Sequence, residues 1–288
     1  MNLRRALYEN RLNVEIFLAR RGLLTPFRLP DASTAFIIST GRTGTHAIAS
    51  HLNRLQSVLA VHEPQPNLYK TGLDYASGRI SQEAARETIE AARRIAALHI
   101  TIRRASIYIE SNNRLFSLIP ILRESFPGSK FIHLVRDGRD VVRSGMDRGW
   151  YQKNDIFPDR LTACDIANDP WRDEWENFTP FEKSSWLWQT VDDFIYKDTV
   201  GQADSHCVRF EEVFDRQRNY PGLYSIAAFL ELQTLLTFPL DEPIAQTNTN
   251  RGTHFPRWNT WDEETIEKFN RIAGKSLIRY GYLDRESN

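Results

Sequence analysis

Cysteine is scarce in this chain. Cys164 and Cys207 are the only two in 288 residues, and they lie far apart in sequence. Neither a disulfide framework nor a zinc-ligand spacing can be built from them, which points to a reducing compartment. An excess of either charge is also missing. Lys and Arg total 37, and Asp and Glu total 37. No chain-wide basic field therefore exists to attract nucleic acid, although a local anion site remains open. No apolar run approaches the roughly 20 residues of a membrane span. The first residues lack the apolar core of a secretion signal, so the expected location is cytoplasmic. Internal repeats and low-complexity tracts are absent too, and 1–288 is expected to form a single domain.

Alternation is what the sequence does have. Short runs rich in Ile, Val or Phe fall at 35–39, 58–62, 106–110, 130–135 and 206–210, with helical patterns between them. This order predicts an α/β fold of parallel β-α-β units, three-layer α/β/α, with a central, mainly parallel sheet of about five strands. Ser81 is placed to cap a helix over 82–98, residues 115–126 read as a further helix, and Thr260 to Glu263 has capping-box spacing. Residues 3–21 read as an amphipathic, arginine-rich helix within a helical extension over 1–30. Such a helix docks on its own domain or a second subunit, or meets a membrane surface. The segment 147–183 has weak periodicity and many Asp, Trp and Pro residues. It reads as an excursion suited to acceptor contacts. Its Trp150, Tyr151, Phe157, Trp171, Trp175, Phe178 and Phe181 are interleaved with carboxylates. Rings and carboxylates together suit a sugar or a cationic group. The competing reading is that Trp171 and Trp175 anchor a helix to the core.

The first strand runs into Thr40-Gly41-Arg42-Thr43-Gly44-Thr45-His46. Glycines allow a tight turn and close approach of the backbone to a ligand. The helix that follows presents unpaired N–H groups, which favour an anion. The helix dipole alone supplies about 0.3–1 kcal/mol, and Arg42 adds charge-assisted hydrogen bonds. This is not the G-x-x-x-x-G-K-[ST] spacing of a Walker site: only Arg42 and Thr43 separate the glycines, and no lysine follows. A second stretch, "KFIHLVRDGRDVVRSG" over 130–145, ends a strand at Arg136, turns at Asp137-Gly138 and places Ser144 two turns into the next helix. Arg136 offers a cation and Ser144 a neutral donor to one anion. Two anion-suited strand ends in one sheet imply a ligand with two anionic groups, bound at the strand C-termini.

Together these stretches resemble the sulfotransferases that use 3'-phosphoadenosine 5'-phosphosulfate (PAPS), in the bacterial or carbohydrate-type branch rather than the cytosolic aryl type. "VRFEEV", "IAAFLEL", "RGTHFPRWNTW" and "RYGYL" are weaker echoes in the same order. The resemblance implies a P-loop NTPase-like fold. It places Gly41, Arg42, Thr43, Gly44, Thr45 and His46 at the phosphosulfate, and Arg136 and Ser144 at the 3'-phosphate. Arg251 and Gly252 would lie in a late loop over that phosphate, with Arg257 and Trp258 as alternative contacts. It implies PAPS as co-substrate with no metal required, and catalytic roles for Arg42 and a base.

Cytosolic relatives carry the base as a histidine after the third strand, where this chain reads "YIESNNRL", without His or Lys. Other branches place a glutamate after the second strand. Here "VHEPQP" offers Glu63 first, with His62 and then Glu110 as further candidates. A general base contributes about 10²–10⁴ in rate. His133, inside an apolar run, reads as a core residue. The expected acceptor is a hydroxyl of a carbohydrate or glycolipid, with peptide tyrosine or a small alcohol left open. Expected partners are that acceptor and a second copy of the chain, without nucleic acid. Two rival functions remain: a P-loop kinase, which lacks its Lys-Ser/Thr here, and a non-catalytic nucleotide-binding protein of the same fold.

Overall fold

The computed structural model describes residues 3–25, 27, 32–153, 155, 159–232 and 255–284. The strands are β1 (Ser33–Ile38), β2 (Val58–His62), β3 (Ile107–Ser111), β4 (Lys130–Val135) and β5 (Ser205–Arg209). They form one parallel sheet in the order β2-β3-β1-β4-β5. The helices are α1 (Leu3–Arg20), α2 (Thr45–Leu52), α3 (Tyr69–Ala76), α4 (Gln82–Arg103), α5 (Ile119–Ser125), α6 (Gly138–Met146), α7 (Pro180–Thr199), α8 (Phe210–Val213), α9 (Pro221–Phe229) and α10 (Glu263–Arg279).

Side chains on a strand alternate between faces, and β1 fills a core on each. Phe36 and Ile38 pack with Ile89 of α4, Leu122 of α5 and Ile195 of α7. Ala35 and Ile37 pack with Ile48 and Leu52 of α2 and with Leu223 and Ile226 of α9. The expected three layers are therefore present. The chain leaves β1 through α2 on one face and β3 through α5 on the other. The strand C-termini between them open a crevice, where ligands bind in folds of this kind.

Local expectations met mixed outcomes. Ser81 caps α4, its Oγ accepting from Ala84 N at 3.2 Å. The cap of α10 is Asp262 rather than Thr260: its carboxylate accepts from Thr265 N at 2.9 Å, while the Thr260 hydroxyl donates to Arg257 O within a 3₁₀ turn. The helix expected over 115–126 starts later, at Ile119, because Pro120 suits a first helical turn and not an interior. A 3₁₀ turn, Asn113–Leu115, precedes it.

Most of the described aromatic cluster in 147–183 belongs to the core. Trp175, Phe178 and Phe181 are buried. Trp175 packs edge-on to Trp186, ring centroids 4.9 Å apart, and Trp171 lies under the Arg271 guanidinium. The anchoring reading thus holds for these rings, and the interleaved carboxylates are drawn in as partners: Asp169 accepts from the Trp186 indole at 2.9 Å. Phe157 lies outside the described residues. No described helix is long and apolar enough to cross a membrane.

Candidate active site

A cavity of about 600 Å³ opens at the C-terminal ends of β1, β2 and β4. The β1–α2 loop forms its floor. Gly41 and Gly44 take φ of 85° and 72°, and Arg42 between them takes 60°. A positive φ is strained for a side-chain-bearing residue and clusters at functional sites. Gly44 is needed twice over, since a Cβ there would lie 2.5 Å from the Phe214 ring. Gly41 is held by its N–H to Ser39 Oγ at 3.1 Å, and a Cβ on it would meet Asn113 Nδ2 at 2.6 Å. The turn delivers the first N–H groups of α2, which have no intrahelical acceptor, to the crevice. Gly44, Thr45 and His46 line the cavity, whereas Thr43 is fully buried.

The second anion stretch converges on the first more tightly than two separate strand-end sites would. Arg42 Nε donates to Ser144 Oγ at 2.9 Å, and Arg136 Nη1 donates to the Arg42 carbonyl at 2.8 Å. Arg136 also stacks on Phe210, 4.4 Å from the ring centroid, and lies 3.7 Å from Asp140. All of these residues line one cavity, so the two expected pockets are two ends of a continuous space. Burial, then Arg148, then Arg136 pull Arg42 down to about 10, which still leaves it cationic at neutral pH.

Beside this cluster, β2 delivers His62 and Glu63 to the cavity wall. Glu63 takes φ 41°, and its N–H donates to Ser111 O at 3.0 Å. Its carboxylate lies 3.9 Å from Arg114 Nε, and Arg114 in turn covers the Tyr69 ring at 4.6 Å. His62 Nδ1 lies 3.1 Å from Ser111 O. A carbonyl can only accept, so Nδ1 carries the proton and Nε2 keeps its lone pair. Burial, chiefly, holds His62 below the ordinary histidine value. The His46 ring meets it edge-on at 5.2 Å.

Glu110 is not a candidate base. It is fully buried, bridged to Arg93 by bonds of 2.6 and 2.7 Å. It also accepts from Tyr108 Oη and Asn112 Nδ2, each at 2.9 Å. Glu110 lies within β3, whereas Glu63 follows the last residue of β2 at a positive φ and reaches the cavity from the loop. His133 is a core residue, buried 3.3 Å from Asp192.

Arg251 and Gly252 lie outside the described residues. Arg257 lines the cavity, whereas Trp258 stacks on Arg139, 3.7 Å from ring centroid to guanidinium carbon. Sequence reasoning missed Arg114, Arg143, Arg148 and Arg160, which also line the cavity. Arg114 stood in the stretch searched for His and Lys; Arg143 and Arg148 extend the α6 register that gave Ser144. Arg160 carried no local signal, because its place depends on the fold of the 147–183 excursion. Phe210, inside the "VRFEEV" echo, and Phe214 just after it stand four residues apart with rings at 4.6 Å and form part of the cavity wall. The same cavity is also lined by Leu73, Phe116, Leu161, Leu187 and Val191, and by Tyr69 and Trp150, whose rings are covered by Arg114 and Arg160.

No protein-family profile matches the chain, and no curated protein is significantly similar in sequence. Solved structures are similar in fold. A sulfotransferase from Mycobacterium avium, STF9, superimposes with a TM-score of 0.57 at 10% identity, over 96% of this chain and 84% of that one. A sulfotransferase from Alicyclobacillus acidocaldarius gives 0.50 at 13%, over 87% and 94%. A sulfotransferase domain from the curacin biosynthetic pathway gives 0.48 at 15%, over 85% and 97%. On the first two of these likenesses and the five-stranded parallel sheet, the chain has the fold of the bacterial sulfotransferases.

Proposed function

We propose that this protein transfers a sulfuryl group from PAPS to an acceptor hydroxyl. The observation that carries the reading is the meeting of Arg42, Arg136 and Ser144 at the mouth of the β1–α2 loop. The residues present fit a doubly anionic nucleotide. Arg136 and Thr40 line the cavity, and their buried Nε and Oγ1 atoms have no hydrogen-bond partner among the described residues. A Cβ on Gly44 would strike the Phe214 ring, so the loop keeps this shape only with glycine there. Arg42 and the N–H groups of Gly44, Thr45 and His46 suit the phosphosulfate end. Arg136 and Ser144 suit the 3'-phosphate, with Arg251 and Gly252 proposed above it. The ring faces of Phe210 and Phe214 are offered to the purine.

Bound PAPS supplies a sulfuryl group already attached to a good leaving group. The chain then has to position and neutralise, as in phosphoryl transfer. Arg42, with Arg148 behind it, stabilises negative charge developing beside the loop. Glu63 takes the proton of the acceptor hydroxyl, and Arg114 fixes the direction of its carboxylate. His62, neutral with a free Nε2 lone pair, is the second base candidate.

Of the aromatic cluster behind the carbohydrate expectation, Trp175, Phe178 and Phe181 are core, while Trp150 lines the cavity. The apolar side chains of the lining support an alcohol carried on an apolar body, so a glycolipid or lipid-like alcohol fits better than a free sugar. The test is transfer from radiolabelled PAPS to a panel of alkyl alcohols, glycolipids, free sugars and tyrosine peptides. Labelled product with the apolar alcohols is expected. PAPS binding without turnover on any acceptor would favour the non-catalytic reading, and ATP-dependent labelling instead would favour the kinase.

A further inference from the structure

A departure from a soluble surface lies outside the cavity lining. Val14, Phe17, Leu23, Ile95, Leu98 and Ile102 are exposed, and among the described residues the other large exposed apolar side chains are only Val200 and Ile266. All six lie on α1, on the turn after it, or on α4, against which α1 packs. Arg20 ties the end of α1 to Glu87 of α4 at 2.6 Å. Ile95, Leu98 and Ile102 recur at helical spacing along one stripe of α4, and Val14 and Phe17 do the same on α1. Phe17, Leu98 and Ile102 expose 56%, 56% and 68% of their surface. Large apolar side chains exposed together on two packed helices point to an interaction site.

Charge identifies the occupant. The protein as a whole is neutral, yet residues 3–22 carry five arginines against two glutamates, and residues 82–104 carry five against three, although Arg93 is buried against Glu110 and leaves four against three outside the core. The acids described there are already matched: Glu15 by Arg11, Glu87 by Arg20, and Glu83 and Glu90 by Arg86. Arg21, Arg103 and Arg104 remain exposed around the apolar stripe, and Arg21 stands over the Phe17 ring at 5.4 Å. Apolar side chains rimmed by surplus arginine are the composition that seats a helix in the interface of an anionic bilayer. A second copy of the chain would bring the same cationic rim against itself, which disfavours it as the partner.

We infer that the α1–α4 flank docks the protein peripherally on a membrane surface bearing anionic lipid. Arg103 and Arg104 directly precede β3, whereas the cavity opens at the opposite strand ends. Docking therefore leaves the cavity mouth uncovered. The inference stands apart from the reaction proposed above, since none of these residues lines the cavity.

The test is co-sedimentation of the full chain with phosphatidylcholine vesicles and with vesicles of mixed phosphatidylcholine and phosphatidylserine, at low and raised salt. Partitioning onto the mixed vesicles is expected to exceed that onto the neutral ones by about tenfold or more and to fall with salt. The variant Phe17→Ser/Leu98→Ser/Ile102→Ser is expected to lose that partitioning while melting like the wild type, because each side chain is more than half exposed. Arg103→Glu/Arg104→Glu is expected to weaken it by several fold and keep the fold. Equal and negligible sedimentation with both vesicle types overturns the inference. So does a concentration-dependent dimer, by analytical ultracentrifugation, that the triple variant dissociates, because a second copy would then cover the face.

Discussion

Replacing Glu110 with glutamine and Glu63 with glutamine makes the same chemical change at the ends of two neighbouring strands, with opposite expected results. Glu110 sits at the centre of a buried cluster, where Oε2 accepts from Arg93 Nε and Tyr108 Oη, and Oε1 accepts from Arg93 Nη2 and Asn112 Nδ2. In either orientation the glutamine NH₂ would face an arginine N–H, and Arg93, buried itself, would keep its charge without a counter-charge. Breaking a buried pair from one side costs about 3–5 kcal/mol. At about 2–4 °C per kcal/mol for a large domain, the melting temperature should fall by about 6–20 °C. Glu63, at 28% side-chain exposure and 3.9 Å from Arg114, contributes no more than about 1 kcal/mol to stability. Its glutamine variant should melt like the wild type and lose about 10²–10⁴ in turnover with nucleotide affinity kept. Differential scanning calorimetry and PAPS turnover on both variants decide the matter. A Glu110→Gln protein of normal stability and reduced turnover, or a fully active Glu63→Gln protein, would refute the assignment.

Three further outcomes are expected. Gly44→Ala should reduce affinity for adenosine 3',5'-bisphosphate by more than about tenfold, because alanine at φ 72° is strained by about 1–2 kcal/mol and its Cβ would strike Phe214; unchanged affinity by fluorescence titration would contradict the cradle. Ser144→Ala removes the acceptor of the Arg42 Nε bond and should weaken the same ligand by roughly 2–10-fold; no change would mean that Ser144 only fills space. Burial, as the leading cause, lowers the pKa of His51, His62 and His206, so the unfolded chain protonates first. Their contribution to stability is therefore complete above about pH 6.5 and is lost as pH falls from there through the depressed folded values. Thermal melts that stay level from neutral pH down into that window would contradict the sign.

Much of the sheet was legible because strand composition and glycine turns are local signals. The β1–α2 loop and the β4–α6 stretch could be read residue by residue, since each is built from its own backbone turn and neighbouring side chains. What could not be read was whatever depends on how distant segments meet. Arg160 reaches the cavity only through the folded excursion, and the aromatic side chains around it could be judged core or surface only once α7 and α10 were in place. Glu110 and Glu63 look alike in sequence. Glu110 sits within β3 and is held inward by Arg93, whereas Glu63 lies just past the end of β2 at the cavity rim. The cap of α10 moved from Thr260 to Asp262 because the preceding residues form a 3₁₀ turn, which spacing alone does not reveal.

Isothermal titration calorimetry of adenosine 3',5'-bisphosphate, with a metal chelator present, tests the whole account most directly. The wild type should bind one nucleotide per chain, and Arg42→Ala and Arg136→Ala should each weaken binding by about tenfold or more, as expected for losing hydrogen bonds to a charged group. No measurable binding to the wild type, or equal affinity in all three proteins, would contradict it.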